Sequence, residues 1–319
     1  MKMRLLQALA LLCFAGGCQA ENRVVLYCAQ DREFAEQILA DFEQTSALKV
    51  ATRYDSEASK SVGLFDVLIL EAPKPRCDVH WNNEIIATIR LQRKGILEPY
   101  DSPAAKDFPA EYRAKDKTWT AFATRARVLI LNTELLKKHG IAEADWPKSL
   151  NDLTHERWKK HFALAKPVAG TSATQVACLF EAWGSDKAKA WYRALKANEM
   201  QLVLGNKQVA EGVGQGQYMV GLTDTDDAAE ELAAGHPVRI IFPDRDAPAD
   251  SKQGTLFIPN TLAIIKGCPN SGAARQLLDY LLSPEVETKL AESASRQIPL
   301  NPKAQPKLPD WMATSATAR

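Results

Sequence analysis

Short apolar runs alternate with amphipathic segments at the start of the chain, and this order limits the folds that it can adopt. Residues 24–27 predict a strand, and the large apolar residues between 34 and 42 recur at the spacing of one helix face. The order continues with a strand, a helix, a strand and a helix predicted at 48–54, 56–70, 77–81 and 85–94. Strands that alternate with helices form parallel sheets covered on both faces. The sequence therefore predicts an α/β fold with a mostly parallel sheet.

Two extended segments, 118–133 and 254–266, are long enough to cross between two such units. A second α/β region lies between them, beginning with a strand predicted at 162–165. We therefore predict two lobes joined by crossing strands. The first lobe is predicted to comprise residues 21–126 and 255–319, and the second residues 127–254.

Residues 1–20 are predicted to be a signal peptide. Lys2 and Arg4 precede an apolar run at 5–17 that is too short to span a bilayer. Residues 15–18 resemble a lipobox in which Cys18 would be acylated, and a simple cleavage before Glu21 is the alternative. We expect a periplasmic or other extracytoplasmic protein, either released or anchored by a lipid at Cys18.

The composition argues against a nucleic-acid partner, because 40 Lys and Arg balance 39 Asp and Glu to a net charge of +1. Two of the six cysteines lie in the predicted leader. The others show no Cys-x-x-Cys spacing. Either a Cys28–Cys77 disulfide or buried free thiols are compatible with export. The four cysteines in question are Cys28, Cys77, Cys178 and Cys268.

An acidic stretch at 223–227 lies between a strand-like run at 218–220 and a helix predicted at 226–234. Strand-to-helix turns of α/β proteins commonly present ligand groups. Three close carboxylates repel one another unless a cation or several donors join them. The stretch therefore predicts a site for a hard cation, with an Asp-rich helix N-terminus as the alternative. Its carboxylates are Asp224, Asp226 and Asp227.

A second candidate site is the turn at 167–171, where Gly170 and Thr171 open a predicted helix. Unpaired N–H groups at such a turn, with a hydroxyl beside them, can bind an anion, although a plain helix cap is the alternative. Arg125 and Arg127 lie two residues apart in the extended segment, and alternate strand residues share a face. They would add positive charge to the anion site, unless they form a solvated or salt-bridged pair.

From Val24 to about Pro302 the chain resembles the periplasmic solute-binding proteins of bacterial ABC importers, specifically their ferric-iron-binding, transferrin-like branch. The order and spacing of several short motifs carry this resemblance. They are Val25-Leu26-Tyr27, Asp78-Val79-His80-Trp81-Asn82-Asn83-Glu84, Arg125-Ala126-Arg127-Val128, Pro167 to Thr171, Asn206 and Ile298 to Pro302. The resemblance implies a type II periplasmic-binding-protein fold whose two lobes, each a mostly parallel sheet flanked by helices, enclose the ligand.

The resemblance also implies binding residues. Where the family often has a His and a Glu, this chain has Asp31 and Asn83, and where the family usually has a Tyr-Tyr pair it has Thr225-Asp226. The implied metal ligands are Asp31, Asn83, Asp224 and Asp226, and the implied anion site is Gly170, Thr171, Asn206, Arg125 and Arg127. Because carboxylates replace phenolates, this set of hard oxygens and amides also suits Ca²⁺, Mg²⁺ or Mn²⁺.

The function implied is binding of Fe³⁺, with a synergistic anion such as phosphate or carbonate, for an ABC permease in the inner membrane. We expect a monomer. The alternative is a zwitterionic aminophosphonate, whose phosphonate would occupy the anion site while Asp226 and Asp31 bind its ammonium group. An enzyme is not expected, because the nucleophile-elbow, His-Glu-x-x-His and phosphate-loop motifs are absent from the sequence. The five histidines are scattered, and we assign His80, near a strand end, to the core or to the residues that support the metal ligands from behind.

Overall fold

The computed structural model describes residues 22–55, 63–248 and 254–313. The predicted signal peptide and lipobox at Cys18 lie outside these ranges, as do residues 56–62 of one predicted helix. No helix within the described ranges is long and apolar enough to cross a membrane.

The first part of the chain folds in the predicted alternating order. Strand β1 pairs in parallel with both β2 and β3. Helix α1 packs its apolar stripe, which includes Phe34, Ile38 and Phe42, against the core of this sheet. The elements are β1 (Arg23–Cys28), α1 (Arg32–Thr45), β2 (Lys49–Tyr54), α2 (Gly63–Glu71), β3 (Val79–Asn82) and α3 (Ile85–Arg93). The parallel α/β unit predicted from the sequence is therefore confirmed.

The long extended segment after this unit is one strand shared by two sheets. After the short β4 (Leu97–Glu98), strand β5 (Thr120–Asn132) is buried along its whole length. Its first half pairs with the strand at Phe257–Ile265, and its second half pairs with strands of the second α/β region. A single strand therefore contributes to the hydrophobic cores of both sheets.

In the second region, three of the strands are each followed by a helix. Strand β6 pairs in parallel with β7 and β8, while β5 pairs antiparallel with β8 and β9. Its elements are α4 (Thr133–Lys138), β6 (Phe162–Ala165), α5 (Gly170–Trp183), α6 (Ser185–Ala197), β7 (Gln201–Val203), α7 (Asn206–Gly214), β8 (Val220–Asp224), α8 (Thr225–Ala233) and β9 (Val238–Ile241).

The chain then returns to the first sheet. Strand β10 (Phe257–Ile265) pairs antiparallel with β3, β4 and β5, which gives the strand order β2-β1-β3-β10-β5-β8-β6-β7. Helices α9 (Ser271–Leu281) and α10 (Pro284–Glu292) cover the first sheet, and a short α11 (Asp310–Ala313) follows. The antiparallel β10 and β5 make the sheets mixed. The exact lobe boundaries stay a prediction.

One sequence expectation is wrong in detail, and one alternative that the sequence left open is decided. The strand predicted at 218–220 is β8, which extends to Asp224, so the first acidic residue ends a strand instead of lying in a turn. The Cys28–Cys77 disulfide is not formed, and all four cysteines of the described residues are free thiols. Register explains this, because Cys28 pairs with Trp81, four residues beyond Cys77, and four strand residues span about 13 Å.

Candidate functional site

A cleft lies where the ends of the strands of both sheets face each other. Eight of the nine predicted site residues line it, and the exception is Arg127. Lys207, which the sequence analysis did not single out, also lines it. The eight are Asp31, Asn83, Arg125, Gly170, Thr171, Asn206, Asp224 and Asp226. The structure thus brings together residues that are far apart in the sequence.

The acidic stretch forms a compact cluster on one wall of the cleft. Asp224 ends β8, while Asp226 and Asp227 lie in the first turn of α8. One carboxylate oxygen from each of the three residues lies within 4.8 Å of the others. Asp224 is the N-cap residue of α8, yet its side chain makes no capping hydrogen bond to that helix. The helix-cap alternative therefore does not explain its orientation.

Two buried arginines pair with this acidic cluster. Arg125 Nη1 lies 3.3 Å from Asp226 Oδ2, and Arg127 Nη1 lies 2.7 Å from Asp224 Oδ1. Burial lowers the pKa of the Arg125 guanidinium, but four nearby carboxylates raise it by more, so its pKa lies above the ordinary value. In decreasing order of effect they belong to Asp226, Asp224, Asp31 and Asp227.

Arg127 is not part of the cleft wall, contrary to its predicted role in anion binding. In the antiparallel register it lies opposite Asp224, and its side chain is fully buried, with 0 % exposure. Its Nε donates to Gln175 Oε1 at 2.9 Å, and Nη2 donates to the carbonyl of Leu222 at 3.4 Å. The salt-bridged alternative is thus correct for this residue.

At the predicted anion site, a side chain of the protein accepts hydrogen bonds from two of the predicted donors. Helix α5 begins at Gly170, whose φ of +58° is in the left-handed region that favours glycine. Thr171 Oγ1 donates to Asp224 Oδ2 at 2.5 Å, and Asn206 Nδ2 donates to the same oxygen at 3.0 Å. Ser172 Oγ donates to Asn206 Oδ1 at 3.1 Å. Two of the donors that were predicted to bind an external anion, Thr171 and Asn206, therefore contact Asp224.

The opposite wall comes from the first sheet. Asp31 is the N-cap residue of α1, but its side chain makes no capping hydrogen bond to that helix. Asn83 is buried just after β3. The next residue, Glu84, accepts hydrogen bonds from two backbone N–H groups of α3 and from Thr174 Oγ1 of α5 at 3.0 Å. The two walls are thus in direct contact beside the cleft.

His80 belongs to the core, as expected. It lies on the central strand β3, and neither of its ring nitrogens has a hydrogen-bond partner. Burial lowers the pKa of His80 to about 4. The ring is therefore neutral near pH 7 and contributes to packing.

The chain belongs to the family of bacterial extracellular solute-binding proteins, whose family model matches residues 87–316. This confirms the resemblance to ABC-importer binding proteins. The Fe(3+)-binding periplasmic protein of Serratia marcescens is 26% identical over 208 residues, which are 65% of this chain and 58% of that protein. A putative 2-aminoethylphosphonate-binding periplasmic protein of Salmonella typhi is 25% identical over 208 residues, covering 64% of this chain and 57% of that protein.

Solved structures of the same kind have the same architecture. The periplasmic binding protein AfuA of Actinobacillus pleuropneumoniae, with fructose-6-phosphate bound, has a TM-score of 0.77 and 25% sequence identity, and 91% of each chain is covered. The fold is therefore that of a type II periplasmic binding protein, as predicted. The chain is a solute-binding component of an ABC importer and, like its relatives, not an enzyme.

Proposed function

We propose that this protein binds ferric iron in the cleft between its two sheets and passes it to an ABC permease in the inner membrane. The observation that carries the proposal is the cluster of Asp224, Asp226 and Asp227, whose oxygens lie within 4.8 Å of one another on the cleft wall. Carboxylates at this separation repel one another, and a cation between them removes the repulsion. Hard oxygen ligands favour hard cations.

The charges around the cluster support a cation as the cargo. Four carboxylates act on Arg125, whereas two guanidinium groups pair with the cluster. Lys207 also lines the cleft, and its ammonium group forms an ion pair with Glu230 at 3.1 Å. Burial lowers the pKa of this ammonium group, but nearby carboxylates, including those of Glu230 and Asp227, raise it by more. The cluster and Asp31 bring four carboxylates to the cleft, against the two guanidinium groups and the ammonium group of Lys207. A multivalent cation would neutralise the remaining negative charge.

The opposite wall supplies the remaining ligands in this proposal. Asp31 and Asn83 line the same cleft from the side of the first sheet. Together with the cluster they would give a cation four carboxylates and one amide oxygen, close to the six oxygen ligands typical of hard cations. Because the ligands come from both walls, binding of the cation would draw the walls together.

A zwitterionic phosphonate or phosphate ester remains the second candidate. Arg125, Lys207 and the starts of α5 and α7 all line the cleft, and such groups bind phosphate oxygens. In this alternative the ammonium group would pair with Asp226 and Asp31. Its weakness is Asp224, because a phosphonate at Thr171 and Asn206 would have to displace a carboxylate that already accepts their hydrogen bonds.

Thermal unfolding with defined ligands distinguishes the two candidates. The chain from residue 21, purified without chelators, is tested with Fe³⁺, Ca²⁺, Mg²⁺, Mn²⁺ and 2-aminoethylphosphonate, each with and without EDTA, and native mass spectrometry identifies any ligand that copurifies. If the proposal holds, Fe³⁺ raises the melting temperature and EDTA reverses the rise. A rise with 2-aminoethylphosphonate that persists in EDTA would establish the alternative instead.

A charge variant adds a site-specific control. Asp226→Asn keeps the shape of the side chain but loses its charge, so the Fe³⁺-induced rise should become much smaller. The matched control is Asp186→Asn, an exposed residue in the first turn of α6, which should respond like the unaltered protein. An equal Fe³⁺ response from Asp226→Asn and Asp186→Asn would contradict the assignment of the cluster.

A further inference from the structure

We infer that Asp224 is a built-in anion, so that the protein binds its cation without any exogenous phosphate, carbonate or carboxylate. This inference rests on the proposed cation-binding function. It also differs from the sequence-based expectation, in which Gly170, Thr171 and Asn206 hold a separate anion that completes the coordination of the metal.

The hydrogen bonds of Asp224 carry the inference. Its Oδ2 accepts from Thr171 Oγ1 and Asn206 Nδ2, at 2.5 and 3.0 Å, and its Oδ1 accepts from Arg127 Nη1 at 2.7 Å. An ionised carboxylate has about four acceptor positions, two on each oxygen. Three are used by the protein, which leaves one position on Oδ1 for a cation.

The orientation of these donors is fixed. An ionised carboxylate can only accept, so the NH₂ group of Asn206 faces Asp224, and Ser172 Oγ donates to Oδ1 of the same amide. Gln175 Oε1 accepts from Arg127 Nε at 2.9 Å and thereby holds the guanidinium behind the carboxylate. Donors that are oriented in advance favour one anion geometry, and Asp224 already has that geometry.

The location of Asp224 explains how one carboxylate can contact both the anion-site donors and a cation. The residue ends β8 beside the start of α5 and the start of α7, where an external anion would bind. It is also one of the three carboxylates whose oxygens lie within 4.8 Å of one another. A second anion at Thr171 and Asn206 would meet the negative charge of Asp224 and be repelled. The carboxylate therefore excludes an exogenous anion and takes over its contacts.

Chemical rescue tests this inference. The probe is Tb³⁺, a hard trivalent cation that stays in solution near pH 6, titrated by luminescence in a chloride medium without carboxylates or phosphate. Each protein is titrated alone and with millimolar formate or acetate, which bind Tb³⁺ only weakly. The unaltered protein should bind Tb³⁺ with the same affinity in all three media, within about twofold.

Two substitutions at the same position separate charge from shape. Asp224→Ala leaves a space lined by the donors of Arg127, Thr171 and Asn206, so Tb³⁺ binding should weaken by about tenfold or more and be restored by formate. Asp224→Asn fills the space without the charge, so formate should restore nothing. Asp227→Ala, whose carboxylate lies outside that donor set, should lose affinity without rescue.

The outcomes distinguish this inference from the proposed function. If the unaltered protein binds Tb³⁺ only when an anion is added, the built-in anion is refuted and cation binding stands. If it binds no Tb³⁺ in any medium, the proposed function itself is overturned. If Asp224→Ala binds as tightly as the unaltered protein without added anion, Asp224 has no role as the anion. The first comparison uses only the unaltered protein, so it does not depend on the folding of a variant.

Discussion

Thr174 Oγ1 of α5 donates a hydrogen bond of 3.0 Å to Glu84 Oε2, which lies on the opposite wall of the cleft. The same carboxylate caps α3 by accepting from the backbone N–H groups of Ile86 and Ala87, at 2.6 and 2.7 Å. Burial raises the pKa of Glu84, and these hydrogen bonds oppose that effect. One buried carboxylate therefore joins a helix of the first sheet to a helix of the second.

The first prediction concerns this contact. Thr174→Val keeps the shape of the side chain but removes the hydrogen-bond donor. The conformation in which the two walls touch should therefore become less stable by about 1–3 kcal/mol. Calorimetric affinity for the cargo should fall accordingly, and small-angle scattering should show a larger radius of gyration for the unliganded protein. Thr174→Ser, which keeps the hydroxyl, is the control. Identical affinity and scattering for the Val and Ser variants would show that the contact does not hold the walls together.

The second prediction concerns colour. In the part of the chain that the structure describes, no tyrosine lines the cleft, and the Tyr27 hydroxyl donates to Glu71 at 2.9 Å. An iron complex of this protein should therefore lack the visible charge-transfer band that tyrosinate ligands produce. Absorption spectroscopy on protein with stoichiometric iron, verified by metal analysis, is the measurement. An intense visible band would require a tyrosine ligand and would exclude the carboxylate cluster as the main iron site.

The third prediction concerns His80 and pH. Its pKa is about 4 in the folded protein and about 6.5 when the chain is unfolded. Between about pH 6.5 and pH 4, His80 is protonated in the unfolded chain but remains neutral in the folded protein. Stability is therefore lost as the pH falls through this range, until the pH nears 4. Between about pH 7 and pH 4.5 this loss should reach about 2–3 kcal/mol.

Urea unfolding at the two pH values measures this effect. His80→Leu has no titrating group at this position, so its stability should fall by correspondingly less over the same range. Other acidic groups titrate equally in both proteins, and the difference between them therefore isolates His80. Equal losses in the two proteins would mean that His80 is protonated in the fold without penalty.

The fourth prediction compares two glycines. A Cβ on Gly221 of β8 would lie 2.5 Å from Val209 Cγ1 and 3.0 Å from Val213 Cγ2, both on α7. Gly221→Ala should therefore lower the free energy of unfolding by about 1–3 kcal/mol, measured by urea denaturation. In contrast, a Cβ on Gly272 of α9 meets nothing within 4 Å, so Gly272→Ala should leave stability unchanged or slightly raised. A Gly221→Ala protein as stable as Gly272→Ala would contradict this close packing of α7 on β8.

The sequence was informative wherever local patterns decide the structure. The apolar stripe of α1 and the turn at Gly170 depend on neighbouring residues, and both lie where they were expected. By contrast, β7 and β9 were not predicted, because β7 has only three residues and the exposed Arg239 interrupts the short apolar run of β9. Their place is decided by pairing with distant strands.

The same distinction holds for the site. Strand-to-helix turns marked Asp31, Thr171 and Asp224, since each follows an apolar run. The pairing of Arg127 with Asp224 joins residues 97 positions apart, and the hydrogen bond from Thr171 to Asp224 joins residues 53 apart. The first contact depends on the antiparallel register of β5 and β8, and the second on the parallel pairing of β6 with β8. No local pattern reports either pairing, so the hydrogen bonds that Asp224 receives could not be foreseen.

The shared strand β5 also determines when the protein can fold. The first half of β5 joins the first sheet through β10, which pairs with it on one side and with β3 on the other. During synthesis the first sheet therefore stays incomplete until Phe257–Ile265 has left the ribosome. Contacts of such long sequence separation slow folding. The second sheet has no such requirement, because its strands β5 to β9 all precede β10 in the chain, so we expect it to form before the first sheet is complete.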